Sequence, residues 1–124
     1  MWQTVLIISA FLLPLPALAC QTGNVYTDIE CHEKQTRQIQ TKMNRAYADL
    51  VKLYMYDAHK AFTQSQKLWL QWIKKDCAFE SAPYRQSQGA GSGLALASCT
   101  HEKYAARLKQ LETIIHELRT DKAE

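Results

Sequence analysis

Helix-breaking residues are scarce in this chain and confined to a few places. Of its three prolines, Pro14 and Pro16 lie near the start and Pro83 stands alone; three of its four glycines fall between residues 89 and 93. Between Asp28 and Tyr56 there is neither. Period-two alternation of apolar and polar residues over a strand's length is also missing, which excludes a half-buried sheet. Charge is absent from Met1 to Ala19. There the apolar run Val5 to Leu13 is broken by Pro14 and Pro16 and followed by Ala17-Leu18-Ala19, a small-x-small pattern, so residues 1–19 are predicted to be a secretory signal peptide. About a dozen apolar residues fall short of the roughly 20 needed to cross a bilayer as a helix, and no transmembrane span is expected.

Several chemical signatures are lacking as well. The four cysteines, Cys20, Cys31, Cys77 and Cys99, are separated by 11, 46 and 22 positions, so no Cys-x-x-Cys pair is available for redox or zinc-knuckle chemistry. No Gly-x-Ser-x-Gly is present, and no Ser or Cys nucleophile has a nearby base once the cysteines are paired. The glycine-rich stretch is not a phosphate loop, because no strand precedes it and no Gly-Lys-Ser/Thr follows. His32 and His116 lie four positions after Asp28 and Glu112, but each such pair supplies two ligands where zinc needs three or four. They read as solvated surface pairs. Neither catalysis nor a metal or cofactor is expected.

Residues 20–124 carry all the formal charge, 15 Lys and Arg against 12 Asp and Glu, and form one small domain for which covalent staples would help. Three runs have helical spacing. Ile39, Met43, Ala46, Leu50 and Leu53 step by four and three, with Tyr47 and Tyr54 beside them. Thr27-Asp28-Ile29-Glu30 has the form of a capping box and places the start of this helix near Asp28. The second run, around Asp57 to Glu80, has Phe62, Gln66, Trp69, Ile73 and Asp76 in line, flanked by Ala61, Leu68 and Trp72. The third, Thr100 to Leu118, has Tyr104, Leu108, Leu111, Ile115 and Leu118, with Ser98 or Thr100 as cap. Ala82 to Ser98, between the last two, reads as a loop. The expected fold is all-α: a three-helix, disulfide-stapled antiparallel helical domain.

An even cysteine count in an exported chain implies two disulfides. Three pairings are possible. Cys77 ends one helix and Cys99 begins the next, so joining them closes a hairpin of about 23 residues and contributes roughly 3 kcal/mol; Cys20 with Cys31 then ties the tail to the first helix. The crossed pairings, which require distant elements to meet, remain open as the lesser alternative. So does a lipid anchor on Cys20, for which a lipobox would want Leu where Ala17 stands.

Charge is uneven. Residues 33–76 hold nine Lys and Arg against four acids, as Lys34, Arg37, Lys42, Arg45, Lys52, Lys60, Lys67, Lys74 and Lys75. Such a face attracts polyanions, yet a solvated face is the simpler reading, and export argues against nucleic acid. Gln66, Trp69 and Trp72 read as an interior cluster whose polar groups find partners and hold helix register.

Gln66-Lys67-Leu68-Trp69-Leu70-Gln71-Trp72, then Asp76-Cys77, a glycine-rich gap, Cys99, and Arg107 with Leu111 resemble the LprI-type lysozyme inhibitor family. The resemblance extends upstream to Cys31 and to Met43-Asn44-Arg45-Ala46-Tyr47-Ala48-Asp49-Leu50, similar to that family's Leu-Asn-x-x-Tyr-x-x-Leu element. Ile73-Lys74 stands where the family often has Arg-Asp. The resemblance implies a disulfide-stapled helical domain, periplasmic or secreted, with Tyr47, Gln66, Trp69, Trp72 and Arg107 as its motif core. It also implies a non-enzymatic protein that binds a lysozyme or another cell-wall hydrolase. Steric occlusion would block the two carboxylates that perform glycoside hydrolysis, and the exposed loop with Arg85 is the candidate for entering the cleft. The alternatives from other classes are an envelope adaptor binding anionic surface through the first two helices and an immunity-type helper.

Overall fold

The structure is a computed structural model that describes residues 19–54, 56–86 and 90–123. The predicted signal peptide lies outside the described residues, apart from Ala19. Helix α1 spans Val25–Leu53, α2 spans Tyr56–Ser81, a 3-10 turn spans Ala82–Gln86, and α3 spans Gly91–Ala123. No strand occurs among the described residues, and the all-α, three-helix expectation is met.

Helix α1 begins three residues before the predicted start. Its N-cap is Asn24, whose side-chain oxygen accepts from the backbone N–H groups of Tyr26 and Thr27, both at 3.1 Å. Two otherwise orphaned donors are thereby satisfied. The capping-box reading of Thr27 to Glu30 is corrected, because Thr27 already lies inside the helix with its N–H donating to Asn24; Asp28 turns backward and accepts from Thr22. The helix ends where Tyr54 becomes extended, its N–H donating to the Leu50 carbonyl at 3.0 Å.

Residue pairs define the directions of the helices. His32 meets His101 and Asp49 meets Arg119, so α1 and α3 ascend together. Gln66 meets Arg107 and Cys77 meets Cys99, so α2 descends against α3. The bundle is up, down, up. Met43, Ala46 and Leu50 from α1, Phe62 from α2, and Leu108, Leu111 and Ile115 from α3 form its core. These are members of the three predicted stripes, and removing their apolar surface from water drives the packing. Ile73 is also buried.

Further expectations fail. The supposed loop Ala82 to Ser98 is mostly helical: the 3-10 turn occupies its first residues and α3 starts at Gly91. Ser98 and Thr100 therefore do not cap α3, and the Thr100 hydroxyl donates to the Leu96 carbonyl at 2.8 Å within the helix. Leu94-Ala95-Leu96-Ala97 are strong helix formers. A side chain at Gly93 would bring its Cβ within 3.3 Å of Ile29 Cδ1, so glycine permits the close approach of α3 to α1.

Trp72 is not part of the buried interior, which corrects its reading as an interior residue. It is 51% exposed, Leu68 is 63% exposed, and Ala61 is also on the surface. At about 100° per residue, Trp72 lies roughly 60° from Trp69 around α2. That rotation takes it past the edge of the interior face.

Candidate functional site

Two disulfides frame the polar features of the molecule. Cys20 bonds Cys31 and Cys77 bonds Cys99. A sulfur in a disulfide cannot also carry a thioether lipid, and Cys20 is 6% exposed. Beside the first bridge, Asp28 accepts from the Thr22 backbone N–H at 2.8 Å and the Thr22 hydroxyl at 2.7 Å. These bonds, the backbone one foremost, hold its carboxyl below the usual carboxylate value.

Three of the residues singled out by the motif meet at the α2–α3 seam. Arg107 Nε donates to Gln66 Oε1 at 3.0 Å and its Nη1 to Gln110 Oε1 at 2.8 Å. The guanidinium lies 5.6 Å from the Trp69 ring centroid, and Trp69 meets Tyr104 edge-on at 5.3 Å. Burial lowers the Arg107 pKa and raises that of Tyr104. Gln66 thus supplies the acceptor that a partly buried guanidinium needs, which accounts for a polar residue in the second stripe. Tyr47 lies apart from this group. Its ring stacks on Phe62 at 5.3 Å, and its hydroxyl lies 3.0 Å from Thr63 Oγ1. The Thr63 hydroxyl already donates to the His59 carbonyl, so Tyr47 is the donor.

Asp76, the other polar member of that stripe, is explained by Lys103, a residue that sequence reasoning missed. Lys103 Nζ lies 2.8 Å from Asp76 and 3.1 Å from Glu80, and 5.1 Å from the Trp72 ring centroid. The hydrogen bond to Asp76, then that to Glu80, raises the lysine pKa. The available signal was the i, i+4 spacing of Asp76 and Glu80, which puts both acids on one side of α2.

His32, read as a solvated partner of Asp28, adds a small part to the lowering of the Asp28 pKa, but its ring contact is with α3. Its Nδ1 lies 2.8 Å from His101 Nδ1. One ring must donate and the other accept, so the contact fails when both are protonated. Burial lowers the His101 pKa below its ordinary 6.5, the charge of His32 acts in the same direction, and Glu102 opposes both. With the folded-state value depressed, the unfolded chain takes up the proton first as the pH falls. Stability is undiminished above about pH 6.5 and declines as the pH drops through that value toward the folded one. The melting temperature should therefore fall between pH 7.5 and 5.5, and His101→Gln should flatten that slope. An unchanged slope in the variant would remove His101 as its source.

Among the described residues no group of three or more His, Cys, Asp and Glu is placed to hold a metal. The groove of about 440 Å³ between α1 and α3 mixes Lys42, Arg45 and Arg119 with Asp49, Glu112 and His116. Arg119 already reaches Asp49 at 3.5 Å. Among the described residues no helix is long and apolar enough to cross a membrane. Of the predicted binding loop, residues 87–89 and the side chain of Arg85 lie outside the described residues.

No curated protein and no solved structure matches the chain. The family model described as "Lysozyme inhibitor LprI" matches residues 20–111, from the first cysteine to the central leucine of α3. That span takes in both disulfides, the Gln66–Arg107 contact and the Lys103 bridge, and the chain belongs to the LprI lysozyme inhibitor family.

Proposed function

We propose that this protein is exported to an oxidising compartment, the periplasm or the cell exterior, and there inhibits a lysozyme or related peptidoglycan-lytic enzyme by sitting in its cleft. The observation that carries the reading is the family match over residues 20–111. The two disulfides support export, since such bonds persist where thiols are not kept reduced. Steric occlusion is favoured because the chain offers a stapled, preorganised surface, and a rigid surface loses little entropy on binding. The enzyme's catalytic carboxylates need access to a glycosidic bond and to water, so an inert body in the cleft suffices.

Titrating the purified protein into cell-wall suspensions treated with an animal lysozyme, a phage lysozyme and a lytic transglycosylase tests this. The expected result is saturable loss of lytic rate with at least one of them, at about one inhibitor per enzyme. Full lytic rates with all three at large molar excess would sink the reading.

A further inference from the structure

Helix α2 has a second apolar stripe, unrelated to the core. Leu68, Trp72 and Phe79 follow one another at i, i+4 and i+11, which brings them within about 40° of one another around the helix. They are 63%, 51% and 77% exposed. Single exposed apolar residues are ordinary, but three large ones aligned on one helix form a patch of the kind that marks an interaction site. Lys75 stands at the edge of the stripe, about 20° from Leu68, and Lys67 and Lys74 lie about 100–120° from Leu68 on the outer side of the helix, all three exposed. Lys103 offsets one of the two charges of the nearest acids, Asp76 and Glu80, and with Lys67, Lys74 and Lys75 the face keeps a net charge of +2. Lys103 also lies against the Trp72 ring and limits the motion of the indole before any partner arrives.

We propose that this outer face of α2 is the surface that enters the substrate cleft of the inhibited hydrolase, a deepening that rests on the inhibitor reading above. Three features of a glycan-cleaving cleft match it. The cleft is an elongated groove, and a single helix about 10 Å across is a ridge able to enter a groove. It carries the two carboxylates of glycoside hydrolysis, to which Lys67, Lys74 and Lys75 are complementary. It accommodates flat sugar rings, whose apolar faces an indole or phenyl ring can replace. A partially immobilised tryptophan at the middle of a patch also has the character of a binding hot spot. A second copy of this chain is a poor occupant, because two cationic stripes would face each other.

The test uses protein produced from the complete 124-residue sequence in an oxidising compartment, with the hydrolase that the wild type inhibits. Three variants are compared: Trp72→Ala; Lys67→Glu with Lys74→Glu and Lys75→Glu; and Lys109→Glu as a control at an exposed cation on α3. Thermal melts establish that each is folded. We expect Trp72→Ala to weaken inhibition about 30-fold or more. The triple charge reversal should weaken it about 10-fold or more, with the loss largest at low salt. Lys109→Glu should match the wild type. If the wild type inhibits and the α2 variants inhibit equally well, this face is overturned and the inhibitor reading stands. If the wild type inhibits no hydrolase but binds vesicles of phosphatidylglycerol and phosphatidylcholine in equal parts, both are overturned. A wild-type dimer that Trp72→Ala converts to monomer also overturns the proposal, in favour of self-association.

Discussion

Leu111→Ala is expected to lower the unfolding free energy by about 3–5 kcal/mol. Leu111 is fully buried in α3, in the cluster that joins Met43, Ala46 and Leu50 to Phe62. Truncation removes buried methyl and methylene groups and leaves a cavity that three helices must collapse to fill. The Cys77–Cys99 disulfide resists that collapse by fixing α2 against α3, which pushes the cost toward the upper end. A domain of this size has only about 5–15 kcal/mol in total, so the variant should remain folded but marginal. Urea unfolding checks it: the midpoint should drop while the slope stays near that of the wild type. A loss below about 1 kcal/mol would mean that the core repacks freely, contrary to the stapled picture. Leu118, only partly buried at the edge of the same cluster, serves as the comparison and should cost less.

Removing the Cys77–Cys99 bridge is expected to cost about 3 kcal/mol. The two residues are 22 positions apart, and freeing a loop of that length restores chain entropy to the unfolded state. Replacement by alanine at both positions is preferable to serine, since the sulfurs are buried and a hydroxyl there would need a hydrogen-bond partner. In the entropic model Cys20–Cys31, 11 positions apart, contributes only about 0.6 kcal/mol less. The difference between the two lies in where the loss is felt. Helix α2 gives the main core one buried side chain, Phe62, and its far end is held by Ile73, the bridge and the Lys103 ion pairs. Breaking the bridge should lower the melting temperature by about 12 °C or more. It should also raise amide hydrogen exchange in the second half of α2 before α1 or α3. Uniform exchange across all three helices would show instead that the bridge acts on the whole domain.

Much of the fold was legible because it is written in local periodicity. Ile39 to Leu53 and Tyr104 to Leu118 step by four and three, and the steps alone place those residues on one side of a helix whatever lies opposite. The reading of Gln66 as a satisfied interior polar group rested on similar ground: an amide in an apolar stripe needs a partner, and Arg107 provides it. Where the reading failed, the deciding neighbour is distant in sequence. The Gly- and Ser-rich run through Gly93 has the composition of a loop and hides the helix formers Leu94 to Ala97 behind it, and that helix packs against Ile29 through Gly93. His32 has an acid four residues away, yet its partner is His101, 69 positions on. Trp69 and Trp72 are equivalent by residue type, and only the packing of α3 against α2 decides that the first faces inward. Of the candidate site, the motif residues were named but not separated into those that hold the bundle and those left in water.

The sequence by itself determined the helical class, the three apolar stripes, an even set of cysteines and the family. Each follows from spacing along one chain, which a single helix or a single motif expresses without reference to anything else. Only the tertiary structure decided that α1 and α3 run side by side in the same direction, and that α2 descends beside them with one face buried. Burial is a property of pairs of surfaces: a residue leaves water only when another element covers it. The interior face of α2 is covered by α1 and α3, while Leu68, Trp72 and Phe79 lie on its exposed side, where α3 supplies the Lys103 side chain beside Trp72.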